Sequence, residues 1–270
     1  MKSLIYKIFF VVILQLLAGC NKSMIYYLDP VYRKSVNNLK ATSVYFMSVE
    51  TMFTDPMVRR TAVAAQNGDI SELERLISQG VDINTLGTSN ATILFCALLN
   101  KDSFEYLLKQ GANPNVQFKS GGSVIHAAAV LESTALLELV LRYGGDPNIK
   151  DLVLGETPLF SAVLVDNAEA IRVLIEYGAD TSVYADDLLA GELFGNSPLI
   201  FALYVEHVDS FAMLVEMGAD IYQMDKNWGV PVAQAAKDLN SMLERPSEEL
   251  KQIIQLIENK QKELEGEYVE

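Results

Sequence analysis

Few residues in this 270-residue chain are equipped for chemistry. It has two cysteines, Cys20 and Cys96, and two histidines, His126 and His207. A nucleophilic site needs a thiol or hydroxyl beside a base, and a metal site needs several Cys, His or carboxylate ligands at set spacings. The chain contains no C-x-x-C, H-E-x-x-H, phosphate loop or G-x-S-x-G. His126 lies in the run Ser123-Val124-Ile125-His126-Ala127-Ala128 and reads as a structural residue rather than a ligand or base. His207, in Glu206-His207-Val208-Asp209, reads as a surface residue in a turn between two helices. Asp186-Asp187 supplies two carboxylates of the kind that calcium uses. Alternating oxygen ligands do not follow, so an exposed acidic loop is the reading. Cys96 stands in the apolar run Ile93-Leu94-Phe95-Cys96-Ala97-Leu98 and reads as a buried, inert thiol. These residues point to no enzyme, no cofactor and no metal site.

Cys20 has a different chemistry open to it. Lys2 and Lys7 form a basic start, and an apolar stretch runs from Ile8 to Leu17, interrupted only by Gln15. That stretch is too short to span a bilayer and suits the core of a signal peptide. It closes on Leu17-Ala18-Gly19-Cys20, which resembles the bacterial lipobox. The resemblance implies that residues 1–19 are removed and that the Cys20 thiol carries lipid. Asn21 rather than Asp follows, which in a Gram-negative envelope implies the outer membrane, facing the periplasm. With Cys20 acylated, Cys96 has no partner in the chain, so no internal disulfide is expected even in an oxidising compartment.

The full chain has a formal charge of −14, from 21 basic and 35 acidic residues. Residues 1–19 take away two lysines and no acids, leaving −16. That balance argues against nucleic acid and against unaided binding to an anionic membrane, and it favours a protein partner with a basic face.

One phrase recurs along the rest: Gly80-Val81-Asp82, Gly111-Ala112-Asn113, Gly144-Gly145-Asp146, Gly178-Ala179-Asp180 and Gly218-Ala219-Asp220, the glycines 31, 33, 34 and 40 apart. Seven, four and three positions before each glycine the residue is always apolar: Leu73, Leu76, Ile77; Phe104, Leu107, Leu108; Leu137, Val140, Leu141; Ile171, Leu174, Ile175; Phe211, Leu214, Val215. That spacing is a one-sided helical stripe, and the glycine supplies the left-handed turn that ends the helix. A second phrase opens each unit. Gly155-Glu156-Thr157-Pro158-Leu159-Phe160-Ser161-Ala162 and Asn196-Ser197-Pro198-Leu199-Ile200-Phe201-Ala202 are the clearest copies, with weaker ones at Ser123–Ala128 and Thr92–Ala97. Proline preset at the first helical position, with Thr or Ser before it as cap, starts a short inner helix.

These phrases and the period of about 33 residues resemble the ankyrin-repeat family. The resemblance implies an all-α solenoid of stacked helix-turn-helix repeats with N- and C-terminal helical caps. The expected order is a signal peptide at 1–19, a tether and N-terminal cap at 20–54, five to six repeats at 55–240 and a C-terminal helix or cap at 241–270. In that last segment Leu250, Ile253, Ile254 and Ile257 form a stripe, and the charged end from Glu258 is expected to fray.

The step from Gly178 to Gly218 runs about seven residues over the period. The excess lies in Val183–Phe194, a finger mixing acids with Leu and Phe. Tyr184, Asp186, Asp187, Leu188, Glu192 and Phe194 are therefore the expected partner-binding residues. A lipobox followed by a cap and about five repeats also resembles the ankyrin-type lipoproteins that serve as immunity proteins against type VI secreted phospholipase (lipase) effectors. Met52-Phe53-Thr54-Asp55-Pro56 and Ala64–Asp69 resemble the entry to those domains. The role implied is to bind and neutralise such a toxin at the periplasmic membrane surface. The alternative is an envelope adaptor that holds a periplasmic enzyme or complex at the membrane.

Overall fold

The computed structural model describes residues 48–119, 121–152, 155–185, 197–226 and 228–267. Among these are thirteen helices and one two-stranded ladder. A short α1 (Val49–Met52) precedes five helix pairs: α2 (Pro56–Asn67) with α3 (Ile70–Ser78), α4 (Ile93–Cys96) with α5 (Lys101–Lys109), α6 (Val124–Ala129) with α7 (Ala135–Arg142), α8 (Pro158–Leu164) with α9 (Ala168–Glu176), and α10 (Pro198–Val205) with α11 (Val208–Glu216). The ladder pairs β1 (Met224–Asp225) with β2 (Val230–Pro231), antiparallel. Helices α12 (Val232–Met242) and α13 (Glu248–Glu267) close the array. Inner helices stack on inner ones, α8 between α6 and α10, and outer on outer, α9 between α7 and α11. This is an all-α ankyrin solenoid.

The apolar stripe of each outer helix forms the core. The residues seven and four places before the repeat glycines (Leu73, Leu76, Phe104, Leu107, Leu137, Val140, Ile171, Leu174, Phe211 and Leu214) are all 0% exposed. Those three places before are less uniform: Leu108, Leu141 and Val215 are buried, but Ile77 and Ile175 only half so. At the helix ends the five glycines take φ of 87° to 93°, where an L side chain is strained. The next amide then turns back to the carbonyl five residues earlier: Val81 to Leu76, Ala112 to Leu107, Gly145 to Val140, Ala179 to Leu174 and Ala219 to Leu214.

A side-chain ladder ties each turn to the next. Asn84 Nδ2 donates to the Gly111 carbonyl at 3.1 Å, and its Oδ1 accepts the Asn113 amide at 2.8 Å. Asn115 does the same to Gly144 and Asp146, at 2.9 and 2.8 Å, and Asn148 to Gly178 and Asp180, at 2.9 and 2.8 Å. The next residue in this series is Ser182, whose hydroxyl stays within its own turn on Asp180 Oδ1.

Both ends are closed by helices. Asp55 caps α2 through the amides of Met57 and Val58 (2.8 and 3.0 Å), with Pro56 as the first helical residue. Met52 and Phe53 are buried beneath it, and Arg59 donates to the Phe53 and Thr54 carbonyls. At the other end α13 lies on α11 and α12, with Leu250, Ile253 and Ile257 buried. Its charged half does not fray at Glu258: the helix continues to Glu267, because Leu264 still finds the core and Lys260 pairs with Glu263. In the final unit Pro231 stands outside α12 as its cap residue, since Val230–Pro231 is held in the ladder with β1.

Candidate functional site

The residues with chemical potential are spent on the scaffold. His126 is buried at the start of the third unit. Its Nδ1 takes the Ser123 hydroxyl at 3.0 Å, and its Nε2–H reaches the Glu156 carbonyl of the next unit at 3.1 Å. The Glu156 carbonyl can only accept, so Nε2 carries the proton, and in the neutral ring Nδ1 accepts from the Ser123 hydroxyl, which itself accepts the Ile125 amide. Burial holds the His126 pKa below the usual histidine range. Glu156, beside it, is pushed up to about 8 by burial and by the Asp151 charge.

His207 is not the surface residue that its flanking carboxylates suggest. It is half-buried, and its Nδ1 lies 2.7 Å from the Val163 carbonyl of the preceding unit. Asn167 occupies the same place one unit earlier and donates to the Leu131 carbonyl at 2.8 Å. Both side chains stitch the turn of one unit to the turn before it. Asp166 adds a third stitch, accepting the amide and hydroxyl of Ser210 at 2.9 and 2.7 Å. Cys96 is buried 3.7 Å from Met52 Sδ, and burial pushes its thiol up to about 12, far from a nucleophilic thiolate.

Thr157 departs from its expected role as cap. Its hydroxyl is buried without a partner, and the Phe160 amide turns to the Thr157 carbonyl instead. Thr92 and Ser197, at the same place in their units, do cap the amides of Phe95 and Ile200 at 3.0 and 3.4 Å, and Phe160 packs at a tilt against Phe201.

The groups left over for a ligand gather around the fourth and fifth units. Between Arg172 and Lys226 the sequence holds ten carboxylates and no lysine or arginine. Glu176, Asp180, Asp209, Glu216 and Asp220 of that window are exposed. Helix α10, Pro-Leu-Ile-Phe-Ala-Leu-Tyr-Val, is apolar on every face. Its Leu199, Ile200, Ala202 and Leu203 are buried, whereas Phe201, Tyr204 and Val205 remain half-exposed.

The last finger completes this surface. Asp225, fully buried, accepts the Tyr204 hydroxyl and the Trp228 amide. Burial and Asp225 together hold the Tyr204 phenol well above its usual range. Tyr204 and Trp228 pack edge to face at 6.1 Å, and Trp228, Met224 and Tyr222 are exposed. Sequence reasoning missed this group. The available signals were the uninterrupted apolar run of α10 and the single tryptophan of the chain.

Of the expected partner-binding residues, Tyr184 alone lies among the described residues. It is half-buried: its hydroxyl donates to the Met224 carbonyl at 3.0 Å, and Lys226 Nζ sits 4.1 Å from its ring centre. Burial raises its phenol, with Asp220 and Asp225 adding to the shift. Asp186, Asp187, Leu188, Glu192 and Phe194 lie outside the described residues, as does Cys20. Among the described residues, no cluster of three or more His, Cys, Asp or Glu is placed to hold a metal, and no helix is long and apolar enough to cross a membrane.

Comparison with known proteins agrees with this geometry. A family model for ankyrin repeats, three copies, matches residues 61–151 and 125–225. Protein PhlB of Serratia liquefaciens is 33% identical over 124 residues, 45% of this chain and 54% of that protein. A putative ankyrin repeat protein of Fowlpox virus is 28% identical over 120 residues, 43% of this chain and 28% of the relative. An ankyrin repeat-containing protein of Schizosaccharomyces pombe is 39% identical over 88 residues, 32% of this chain and 41% of the relative. The matches thus span about half or less of these relatives' lengths. The two overlapping matches to this model across residues 61–225, with the helix pairs and glycine turns described above, place the chain in the ankyrin-repeat family.

Proposed function

We propose that this chain is a lipid-anchored ankyrin protein of the bacterial envelope that binds and neutralises a protein toxin, namely a phospholipase (lipase) effector delivered by type VI secretion. The coarser statement, that the array serves protein–protein interaction, follows from the family. The observation that carries the finer one is the pairing of Leu17-Ala18-Gly19-Cys20 with a solenoid whose last two repeat units and last finger carry exposed carboxylates and aromatic side chains. A lipid-attacking enzyme must expose its active-site mouth to the bilayer. An acidic inhibitor tethered in that plane meets the toxin at high effective concentration and covers the mouth or its docking face. A basic partner would be captured quickly by the exposed carboxylates between Arg172 and Lys226, at a rate that falls with salt.

The test is co-production of the chain with a periplasm-directed phospholipase effector. Full-length protein is expected to preserve viability and to co-purify with the lipase. Cys20→Ser is expected to lose radiolabelled palmitate and protect less, while still binding the lipase in solution. Palmitate label that persists in Cys20→Ser refutes the anchor. Recovery of an envelope-assembly complex, with no protection against the lipase, refutes the immunity role and supports the adaptor.

A further inference from the structure

The asparagine ladder shows what each repeat turn is built to hold. The turns at Gly111, Gly144 and Gly178 each present a carbonyl and, two residues on, an amide, and each pair is filled by one Asn side chain from the unit before. A carboxamide fits because it carries one donor and one acceptor side by side.

The turn at Gly218 has the same construction. Its φ is 93°, against 88°, 87° and 91° in the other three. The Ala219 amide bonds the Leu214 carbonyl at 2.8 Å, as in the other turns. The Tyr222 amide bonds Asp220 Oδ1 at 2.8 Å, as Asn115, Asn148 and Ser182 bond Asn113, Asp146 and Asp180. The Gly218 carbonyl and Asp220 amide therefore point as their counterparts do. Yet no hydrogen bond among the described residues reaches either of them, because Ser182 is too short and is engaged with Asp180. Among the described residues the Gly80 turn is also unfilled, and none of them forms a finger ahead of it. At Gly218 the gap is internal, with units on both sides.

The surroundings are set for a ligand. The two fingers are held together by Tyr184 on the Met224 carbonyl and by Gln223 Nε2 on the Thr181 carbonyl, at 3.0 and 3.5 Å. Tyr222 and Met224 are exposed on the same turn and finger, and Glu176, Asp180, Glu216 and Asp220 surround it in sequence with negative charge.

We propose that the Gly218–Asp220 turn is a receptor for an Asn or Gln carboxamide carried on a basic segment of the protein partner, which completes the ladder where this chain leaves it open. The proposal rests on the protein-binding reading above and names the chemistry that the bound segment must bring.

The test needs no partner, so it stands apart from the toxin experiment. The probe is the tripeptide acetyl-Lys-Asn-Lys-amide at low salt, with acetyl-Lys-Leu-Lys-amide as control, read by amide chemical shifts. The Asn peptide is expected to shift the Asp220 amide saturably. The amides of Asn113, Asp146 and Asp180, already bonded, should stay still, and the Leu peptide should leave Asp220 unmoved. Ser182→Asn should fill the turn from within, raise the melting temperature above that of Ser182→Ala, and abolish the peptide shift at Asp220. Three results overturn the proposal: no Asp220 shift, a shift shared by the Leu peptide or by the filled turns, or a shift that survives in Ser182→Asn. A Ser182→Asn melting temperature no higher than that of Ser182→Ala also overturns it, since the Gly218 turn then lacks the geometry of the others.

Discussion

The asparagine ladder makes a claim about where the stability of this solenoid resides. Asn115 shows it best, standing in the middle of the ladder. Its side chain accepts the Asp146 amide at 2.8 Å and donates to the Gly144 carbonyl at 2.9 Å, so Asn115→Ala deletes two hydrogen bonds across one interface. A net intramolecular hydrogen bond is worth about 0.5–1.5 kcal/mol, which gives about 1–3 kcal/mol for the pair. Gly144, Asp146 and Asn115 are exposed or half-exposed, so water can replace the lost partners and the lower half of that range is expected. Asn115→Asp is the sharper variant. It keeps an acceptor for the Asp146 amide but sets a carboxylate oxygen against the Gly144 carbonyl, so it should cost at least as much as Ala. The assay is urea denaturation combined with native-state hydrogen exchange. In a repeat array one weakened interface appears as a broader transition, because each unit leans only on its neighbours. The Asp146 amide should lose protection while the Asp180 amide, held by Asn148, keeps it. A change within about 0.5 kcal/mol, the range of ordinary surface sites, with Asp146 protection intact, would refute the ladder as a source of stability.

Other outcomes follow from the same contacts. Leu174→Ala, at a fully buried site between α7 and α11, should cost about 2–5 kcal/mol in the same denaturation experiment, and a loss under about 0.5 kcal/mol would mean the stripe is misassigned. Thr157→Val removes a buried hydroxyl that has no partner, so it should be neutral or stabilise by up to about 1–3 kcal/mol; a clear destabilisation on thermal melting would show that the hydroxyl is satisfied. Glu156 titrates higher in the folded chain, at about 8, than in the unfolded one, so its cost is absent at acid pH and grows as pH rises through the carboxylate range towards 8. Glu156→Gln should thus gain melting temperature relative to the parent at pH 9 and not at pH 4, and an equal effect at both would contradict the raised titration. Cys96 should react with a disulfide reagent at neutral pH only as fast as the fold opens, and prompt reaction without denaturant would contradict its burial.

The elements were legible where one local requirement repeats. A glycine with φ near 90° tolerates few substitutes, and a stripe seven and four residues before it has one use, so the helix pairs could be read from spacing. What stayed hidden depends on which residue stands in the neighbouring unit. Ser123 and Thr157 look alike in the sequence, yet one is satisfied by His126 and the Ile125 amide and the other has no partner. His207 looks solvated beside Glu206 and Asp209, but the Val163 carbonyl that takes it lies 44 residues back. The long α13 was underestimated because its charged residues pair along the helix while Leu264 still packs inward. Of the candidate site, the long finger is an expectation from its length, and most of it lies outside the described residues. The aromatic group of Tyr204, Trp228 and buried Asp225 was not legible, since it comes together only when α10 and the last finger fold against each other.

Selectivity in such an array must come from its departures from the repeat, because every regular position is already committed to packing or to a turn. Four departures fall in this part of the chain. The ladder residue is Ser182 instead of Asn. The step that follows it is the longest in the chain, and Asp180, Asp209, Glu216 and Asp220 stand exposed in a window without lysine or arginine. Helix α10, alone among the inner helices with Phe, Tyr and Val half-exposed together, adds apolar area to the same unit. Charge supplies the long-range attraction, the apolar side chains supply contact area, and a directional pair of backbone groups supplies register. A surface with only the first would bind any basic protein, and one with only the second would aggregate. The unfilled turn at Gly218 is the element of the three that can distinguish one basic segment from another, because its hydrogen-bonding pattern is met by an amide and not by an alkyl side chain.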